Sequence, residues 1–226
     1  MGVRVLRAKL LGVRALSTIL VVAALAQPAA AQFGGPSRSY GNELWLTAGQ
    51  GNLPALTMSD NASGGTWRLE RTKPVSVSLD WGRRERSIGL SVAHDNYALA
   101  LSAPTCPACN ATVRTEQALA TYRRSGTMFG GGVMQVVEFG VGATQWSKLT
   151  GEGGSTPPVI KPNTDFTYAV ALGLAIPVGD AFELSAMYKS ISVRHETLRQ
   201  ISTGAAPNNF IGMNMLWFGA RVRLGH

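Results

Sequence analysis

The sequence predicts an all-β chain that folds as an eight-stranded antiparallel up-and-down barrel. Large and small side chains alternate with a period of two in several long segments, which is typical of strands and not of helices. Short and long connections alternate between these segments. The 226 residues include 26 glycines, 45% hydrophobic residues and only 15% charged ones. This composition is too apolar for a disordered chain and too rich in glycine for a helical bundle.

The first 31 residues predict a secretory signal peptide. Basic residues between Arg4 and Arg14 precede an apolar run at 15–26, and the alanines at 29–31 fit a small-residue cleavage site. The apolar run is too short to cross a bilayer, which takes about 20 apolar residues. We therefore divide the chain into a signal peptide at 1–31, a lead-in at 32–42 and a barrel domain at 43–226.

The clearest strand pattern lies at 164–178. Its even positions carry large apolar residues such as Phe166, Leu172 and Val178, and its odd positions carry small or polar ones. Such runs predict eight strands, at about 43–53, 66–82, 87–101, 115–124, 132–149, 164–178, 181–195 and 209–224. In the third strand the apolar residues at 88–92 and at 97–101 differ in parity, which predicts a β-bulge near 93–96.

The connections between the predicted strands fall into two classes. Short ones are predicted at 83–86, 125–131 and 179–180. Long ones, rich in Gly, Pro, Ser and Asn, are predicted at 54–65, 102–114, 150–163 and 196–208. An up-and-down meander requires this arrangement, with short turns at one end and long loops at the other.

The distribution of side chains between the two faces indicates a membrane. Large apolar residues fill the interior of a soluble barrel, whereas in an outer-membrane barrel they face lipid and the lumen is polar. The face opposite the large residues carries Gly, Ala, Ser, Thr and charges of both signs, which can pair in a closed lumen. The predicted lumen charge network consists of Asp80, Glu138, Glu183, Lys189, Arg221 and Arg223. The predicted membrane-interface aromatics are Trp81, Phe166, Tyr168 and Phe182.

The signal peptide, the eight alternating strands, the short turns and the long loops resemble the small bacterial outer-membrane barrels of the OmpA/OmpX type, over about residues 40–226. The resemblance implies a transmembrane barrel with short periplasmic turns and long outer loops. The last strand is also similar to the insertion signal that the barrel-assembly machinery reads, through Gly219, Val222 and Leu224. It departs from that signal at its end, where Gly225 and His226 replace the usual terminal aromatic residue.

Two further features are candidates for chemistry. We interpret Cys106 and Cys109, in the second long connection, as a loop disulfide, because a zinc site would need two more ligands. His195, followed by Glu196 and Thr197, is distantly similar to the His-x-Ser of outer-membrane lipid A deacylases. Threonine replaces the serine, and the facing positions 208 and 209 of the last strand offer asparagine instead of a carboxylate. The sequence therefore assigns no catalytic residue, metal site or cofactor.

The function predicted from the sequence is a structural or surface-interaction role, exerted through the long loops in the outer membrane of a Gram-negative-type cell, after cleavage near Ala31. The expected partners are outer-membrane lipid, the barrel-assembly machinery during insertion and a surface partner of unknown kind. A nucleic-acid partner is not expected, because much of the formal net charge of +8 lies in the signal peptide. The alternatives that stay open are a barrel that binds a small amphiphile in its wall or mouth, a lipid-modifying barrel centred on His195, and a soluble periplasmic β-barrel.

Overall fold

The computed structural model describes residues 41–61, 64–104, 106–128, 132–147, 150–151, 163–196, 198–200 and 210–224. The predicted signal peptide and most of the lead-in lie outside these ranges. The strands are β1 (Glu43–Asn52), β2 (Leu56–Asp60), β3 (Gly65–Leu69), β4 (Val75–Arg83), β5 (Arg86–Ala103), β6 (Cys106–Met128), β7 (Val133–Trp146), β8 (Thr150–Gly151), β9 (Asn163–Val178), β10 (Phe182–Arg194), β11 (Leu198–Gln200) and β12 (Phe210–Leu224). Within the described ranges, no helix has the length and apolar character needed to cross a membrane.

Eight of these strands form a closed antiparallel ring. The order around the ring is β1, β4, β5, β6, β7, β9, β10 and β12, and β12 pairs with β1 to close it. Leu44 pairs with both Leu224 and Trp81, so the first and last strands share one end of the ring with the turn between β4 and β5. We call this the turn end and the opposite end the loop end. The prediction of an eight-stranded up-and-down barrel is confirmed.

The predicted long connections contain strands, which the sequence analysis missed. In the first, β2 pairs with β3, and β11 from the fourth connection pairs with β2. The second connection is a continuation of the β5–β6 hairpin, and part of the third is β8, which pairs with β6. These segments lack a clear alternating pattern. They are strands because a neighbouring strand supplies hydrogen-bond partners, which is a tertiary effect that outweighs local propensity.

The predicted strand at 66–82 is interrupted and forms β3 and β4. Pro74 has no N–H group to donate to a sheet ladder, so a regular strand cannot run through it. Its carbonyl accepts a hydrogen bond from the Gly51 N–H at 2.8 Å, and Leu53 and Thr72 exchange a pair of hydrogen bonds at 3.0 and 3.1 Å. These bonds hold the interrupted segment to the end of β1.

The predicted β-bulge near 93–96 is wrong. Strand β5 pairs with β6 without a register shift from Arg86 to Leu101, and the irregularity lies between Leu101 and Ala103. The large apolar residues change parity because the surroundings of the strand change along its length. Near the turn end they point outward, as Leu90 does, and near the loop end they point inward, as Leu99 does.

Two sets of apolar side chains follow from this change of direction. The apolar belt is the outward set, each member 37–58% exposed: Leu44, Val77, Leu79, Trp81, Ile88, Leu90, Val92, Tyr122, Phe139, Val141, Phe166, Tyr168, Leu172, Leu174, Ile176, Val178, Leu184, Tyr188, Leu216, Phe218 and Leu224. The cap core is the inward, buried set towards the loop end: Leu53, Met58, Trp67, Leu69, Tyr97, Leu99, Leu101, Cys109, Ala111, Val113, Leu119, Trp146, Ala169, Ile191, Val193, Leu198, Ile211, Met213 and Met215. Side-chain polarity is therefore reversed between the two halves of one continuous barrel.

A buried tryptophan explains two glycines of the barrel wall. The Trp217 indole lies inside the barrel and donates a hydrogen bond to Ser76 Oγ at 2.9 Å. A Cβ added at Gly49 or at Gly219, which are register partners on β1 and β12, would lie 2.1 or 2.0 Å from atoms of this ring. The two positions need glycine because the indole occupies the space that a side chain would take.

Candidate functional site

The interior of the belt half holds buried ion pairs. Arg123 Nη2 donates a hydrogen bond to Glu183 Oε1, and the two side chains are only 2% and 0% exposed. Lys189 Nζ lies 3.7 Å from Glu138 Oε1, across the same interior. Paired charges of opposite sign satisfy each other where water is excluded, whereas a single charge there would be costly.

Arg221 is the centre of a further cluster in this interior. Its Nε lies 3.6 Å from Asp80 Oδ2, and its Nη2 donates a hydrogen bond to Ser87 Oγ at 2.9 Å. Asp80 also accepts a hydrogen bond from Thr47 Oγ1 at 3.1 Å. The guanidinium lies over the Trp45 ring, 4.5 Å from its centroid, which is within the range of a cation–π interaction.

The structure brings most of the predicted lumen charges together as three pairs, and Arg223 forms a fourth pair near the turn end. Arg223 Nη1 donates a hydrogen bond to Glu43 Oε1 at 2.9 Å, and both side chains are 15% exposed. Sequence reasoning missed Arg123, Glu43 and Trp45. The sequence feature that could have identified Arg123 is its position two and four residues after Thr121 and Leu119, which places all three on the inward face of β6. The alternation in that segment is weak, so the feature was missed.

A small cavity lies inside the barrel at the level of the Lys189–Glu138 pair. The cavity between these two residues and Trp217 has a volume of about 10 Å³. A single water molecule needs roughly this much space.

The predicted interface aromatics lie on the outward face. Trp81, Phe166 and Tyr168 are 54%, 53% and 42% exposed, whereas Phe182 is half-buried. Trp81 lies near the turn end and Tyr168 towards the loop end, where its ring contacts Phe210 edge-on with 5.8 Å between centroids. Aromatic residues thus occur at both edges of the apolar belt.

The three residues of the predicted insertion signal lie on β12. Leu224 is exposed on the outward face, whereas Val222, on the same face, is only 7% exposed beside its register partner Phe182 on β10. Gly219 makes room for Trp217 inside the barrel. Packing against Trp217 thus explains why position 219 needs a glycine. Recognition of this segment by the assembly machinery stays a prediction.

The two cysteines of the predicted loop disulfide lie in a strand and not in a loop. Strand β6 begins at Cys106, and the structure has Cys109 disulfide-bonded with its side chain buried in the cap core. The strand was hidden because Pro107 and the flanking small residues obscure the alternation. The disulfide belongs to the part of the barrel that lies beyond the apolar belt.

His195 lies just beyond β10, inside the barrel near the loop end. Its Nδ1 accepts a hydrogen bond from the Leu198 N–H at 3.2 Å, and its Nε2 lies 3.8 Å from Asp165 Oδ2. Its ring contacts Trp146 edge-on, with 5.9 Å between centroids. The carboxylates near His195 therefore include Asp165 on β9 and Asp60 on β2, and they do not come from the last strand, where the sequence predicted no carboxylate either. Because both ring nitrogens face protein groups, the geometry favours a structural role in which His195 anchors β11 to the barrel.

The buried environment shifts the pKa of both groups of this pair, which lies beyond the apolar belt. Burial raises the pKa of Asp165 to about 6 and lowers the pKa of His195. Near pH 7 the imidazole is therefore neutral beside a carboxylate, and the carboxyl group takes up a proton as the pH falls through about 6. Because folding raises the pKa of Asp165, the ionised carboxylate lowers the free energy of unfolding at pH values above about 6. This loss of stability becomes smaller as the pH falls below about 6.

In the described part of the chain, no group of three His, Cys, Asp or Glu side chains is placed to hold a metal ion.

Together, the closed ring, the outward apolar belt and the buried ion pairs of the interior define an eight-stranded β-barrel with inverted side-chain polarity. No protein-family model matches the sequence, and comparison with curated proteins gives no significant match. The structure is similar to the crystal structure of Neisserial surface protein A, with 13% identity, a TM-score of 0.51, and coverage of 81% of this chain and 99% of that one. It is also similar to the outer membrane protein OprG from Pseudomonas aeruginosa, with 10% identity, a TM-score of 0.50, and coverage of 82% and 97%. The chain has the fold of these small outer-membrane barrels.

Proposed function

We propose that this chain is an outer-membrane barrel with a side-chain-filled lumen, whose loop-end half is a folded platform that contacts a partner outside the cell. The observation that carries the proposal is the reversal of side-chain polarity along continuous strands. In a single solvent, one face of a strand stays apolar along its whole length. A reversal along the strand therefore indicates two solvents, with lipid around the belt and water around the cap.

The height of the apolar belt on β9, where the outward apolar run is long, supports the membrane placement. On β9 the outward apolar residues extend from Phe166 to Val178. That distance is about 40 Å along a strand, and at a tilt of about 45° it rises about 28 Å. The apolar band of outer-membrane barrels is about 25 Å tall. A water-soluble barrel with a belt of this size would aggregate, because exposed apolar patches of this extent mark interaction surfaces.

The half beyond the belt supports a role in contact with a partner. Its outward side chains are small or polar, such as Ala98, Asn110 and Thr112, and its interior is the cap core. The β2–β3 and β5–β6 hairpins and β11 are packed on this core, so the outer surface is held by sheet hydrogen bonds. A pre-ordered surface loses little conformational entropy on binding, which favours recognition of a partner.

Cysteine labelling on intact cells tests the proposed orientation. Ala98→Cys places a thiol on the exposed outer face of β5, and Glu85→Cys places one at the exposed turn between β4 and β5. We expect a membrane-impermeant maleimide to label Ala98→Cys on intact cells, and to label Glu85→Cys only after the outer membrane is permeabilised. The unchanged chain, in which the described cysteine is disulfide-bonded, is the control. Equal labelling of both variants on intact cells, or labelling in the reverse order, would contradict the proposal.

A further inference from the structure

An open apolar groove lies on the belt near the turn end. It has a volume of about 460 Å³ and is lined by Leu44, Leu79, Trp81, Ile88 and Ala120, together with Gly89 and Thr121. The groove exists because Ala120 is small. Its register partners on either side are Leu90 and Val141, whose larger side chains project from the same face. A groove of this kind on a lipid-facing wall can receive one acyl chain.

Three arginines lie immediately beyond this groove on the same outward face. Arg86 is the register partner of both Arg83 on β4 and Arg124 on β6, and all three are exposed. Like charges directly opposite each other on neighbouring strands destabilise a sheet. Within the described ranges, neither Arg86 nor Arg124 has an acidic side chain within 4.0 Å, and the neighbouring acid, Glu85, lies exposed in the turn. The direct opposition of Arg86 and Arg124 is therefore unfavourable, and an anion bound between these two side chains would relieve it.

We propose that this face binds an anionic phospholipid from the leaflet at the turn end, with its phosphate between Arg86 and Arg124 and one acyl chain in the groove. Guanidinium groups bind phosphate through paired hydrogen bonds, and their long side chains reach from an apolar wall to the headgroup level. Arg86 is two residues from Ile88 on the same face of β5, so the headgroup site and the groove are continuous. The apolar groove favours a lipid over a free phosphate ion as the occupant, because only a lipid has an acyl chain to fill it.

The proposal rests on the membrane placement proposed above, but the two can fail separately. Cysteine labelling reports the orientation of the barrel whether or not a lipid is bound. Lipid retention by the purified full-length barrel in detergent reports the site whether or not the outer surface has a partner. A correctly oriented barrel that shows no lipid preference would therefore contradict this inference alone.

Native mass spectrometry of the purified barrel, mixed with equal amounts of phosphatidylglycerol and phosphatidylethanolamine, tests the site. We expect the wild-type barrel to retain phosphatidylglycerol preferentially. The double variant Arg86→Gln/Arg124→Gln should retain at least about fivefold less phosphatidylglycerol than the wild type, because two charge-assisted contacts are lost. The matched control is Arg68→Gln/Arg114→Gln, which removes two exposed arginines from the loop-end half and should leave retention unchanged.

A second variant tests the groove without changing the charge. Ala120→Leu fills the groove, and we expect it to lower phosphatidylglycerol retention. Ala186→Leu, at another exposed alanine of the belt half, should not lower it. Heat-modifiable gel migration shows that each variant is folded. Equal retention of both lipids by the wild type, equal losses in both arginine variants, or displacement of the lipid by millimolar inorganic phosphate would overturn the proposal.

Discussion

Replacing Glu183 by alanine is expected to lower the free energy of unfolding by about 3–5 kcal/mol, the range for breaking one partner of a buried ion pair. Glu183 is fully buried and accepts a hydrogen bond from Arg123, which is itself 2% exposed. Without the carboxylate, the Arg123 guanidinium stays buried inside the barrel with no carboxylate within 4.0 Å among the described residues, because the nearby Asp80 is paired with Arg221. Urea unfolding of the barrel in detergent micelles, followed by tryptophan fluorescence, measures the loss.

Two variants separate loss of the pair from general damage. Glu116→Ala breaks the exposed pair with Arg114 and should change the free energy of unfolding by less than about 1 kcal/mol. The double variant Arg123→Met/Glu183→Leu removes both charges and should recover much of the loss, because apolar residues of similar volume can replace a buried pair. If Glu183→Ala and Glu116→Ala had the same small effect, the buried pair would not be a structural element of the barrel.

The second large effect is expected for Leu90→Arg, which puts a charge in the centre of the apolar belt on β5. Leu90 is 58% exposed, so a substitution there would cost little in a protein surrounded by water. In lipid, an arginine near the midplane of a barrel wall costs about 2–4 kcal/mol. We expect a loss of that size when the barrel unfolds from lipid vesicles in urea.

Ala100→Arg is the matched control on the same strand and the same face. Ala100 is exposed on the half beyond the belt, and an arginine there should change the free energy of unfolding by less than about 0.5 kcal/mol. The difference between the two variants measures the polarity reversal on one continuous strand. Equal tolerance of both arginines would mean that water surrounds both halves.

The number of barrel strands and the outward face of the belt half could be predicted from the sequence, because alternation depends only on each strand and its two environments. Residues 164–178 show this best, since one face of that strand carries exposed members of the apolar belt and the other face carries small residues in a tight interior. The half beyond the belt was missed because its environment reverses. Leu99 and Leu101 continue the regular β5 ladder, and only a change in the barrel interior explains their parity.

The contacts inside the barrel were less predictable than its faces. The inward parity of Glu183 could be predicted, but its partner Arg123 lies 60 residues earlier on a strand with weak alternation. The same holds for His195, whose carboxylate neighbour Asp165 comes from β9. Such pairs depend on strand order and register across the closed ring, and a single sequence does not specify which inward residues meet.

Quenching of tryptophan fluorescence by brominated phospholipids tests the inverted polarity most directly. Of the five tryptophans, Trp81 is 54% exposed on the apolar belt, whereas Trp45, Trp67, Trp146 and Trp217 are at most 5% exposed inside the barrel. For the barrel in vesicles we expect bromine on the acyl chains to quench the Trp81 emission and to leave the other four largely unaffected. Trp81→Phe should therefore abolish most of the quenching. Strong quenching that persists in Trp81→Phe, or none in the wild type, would contradict a barrel whose large apolar side chains face lipid.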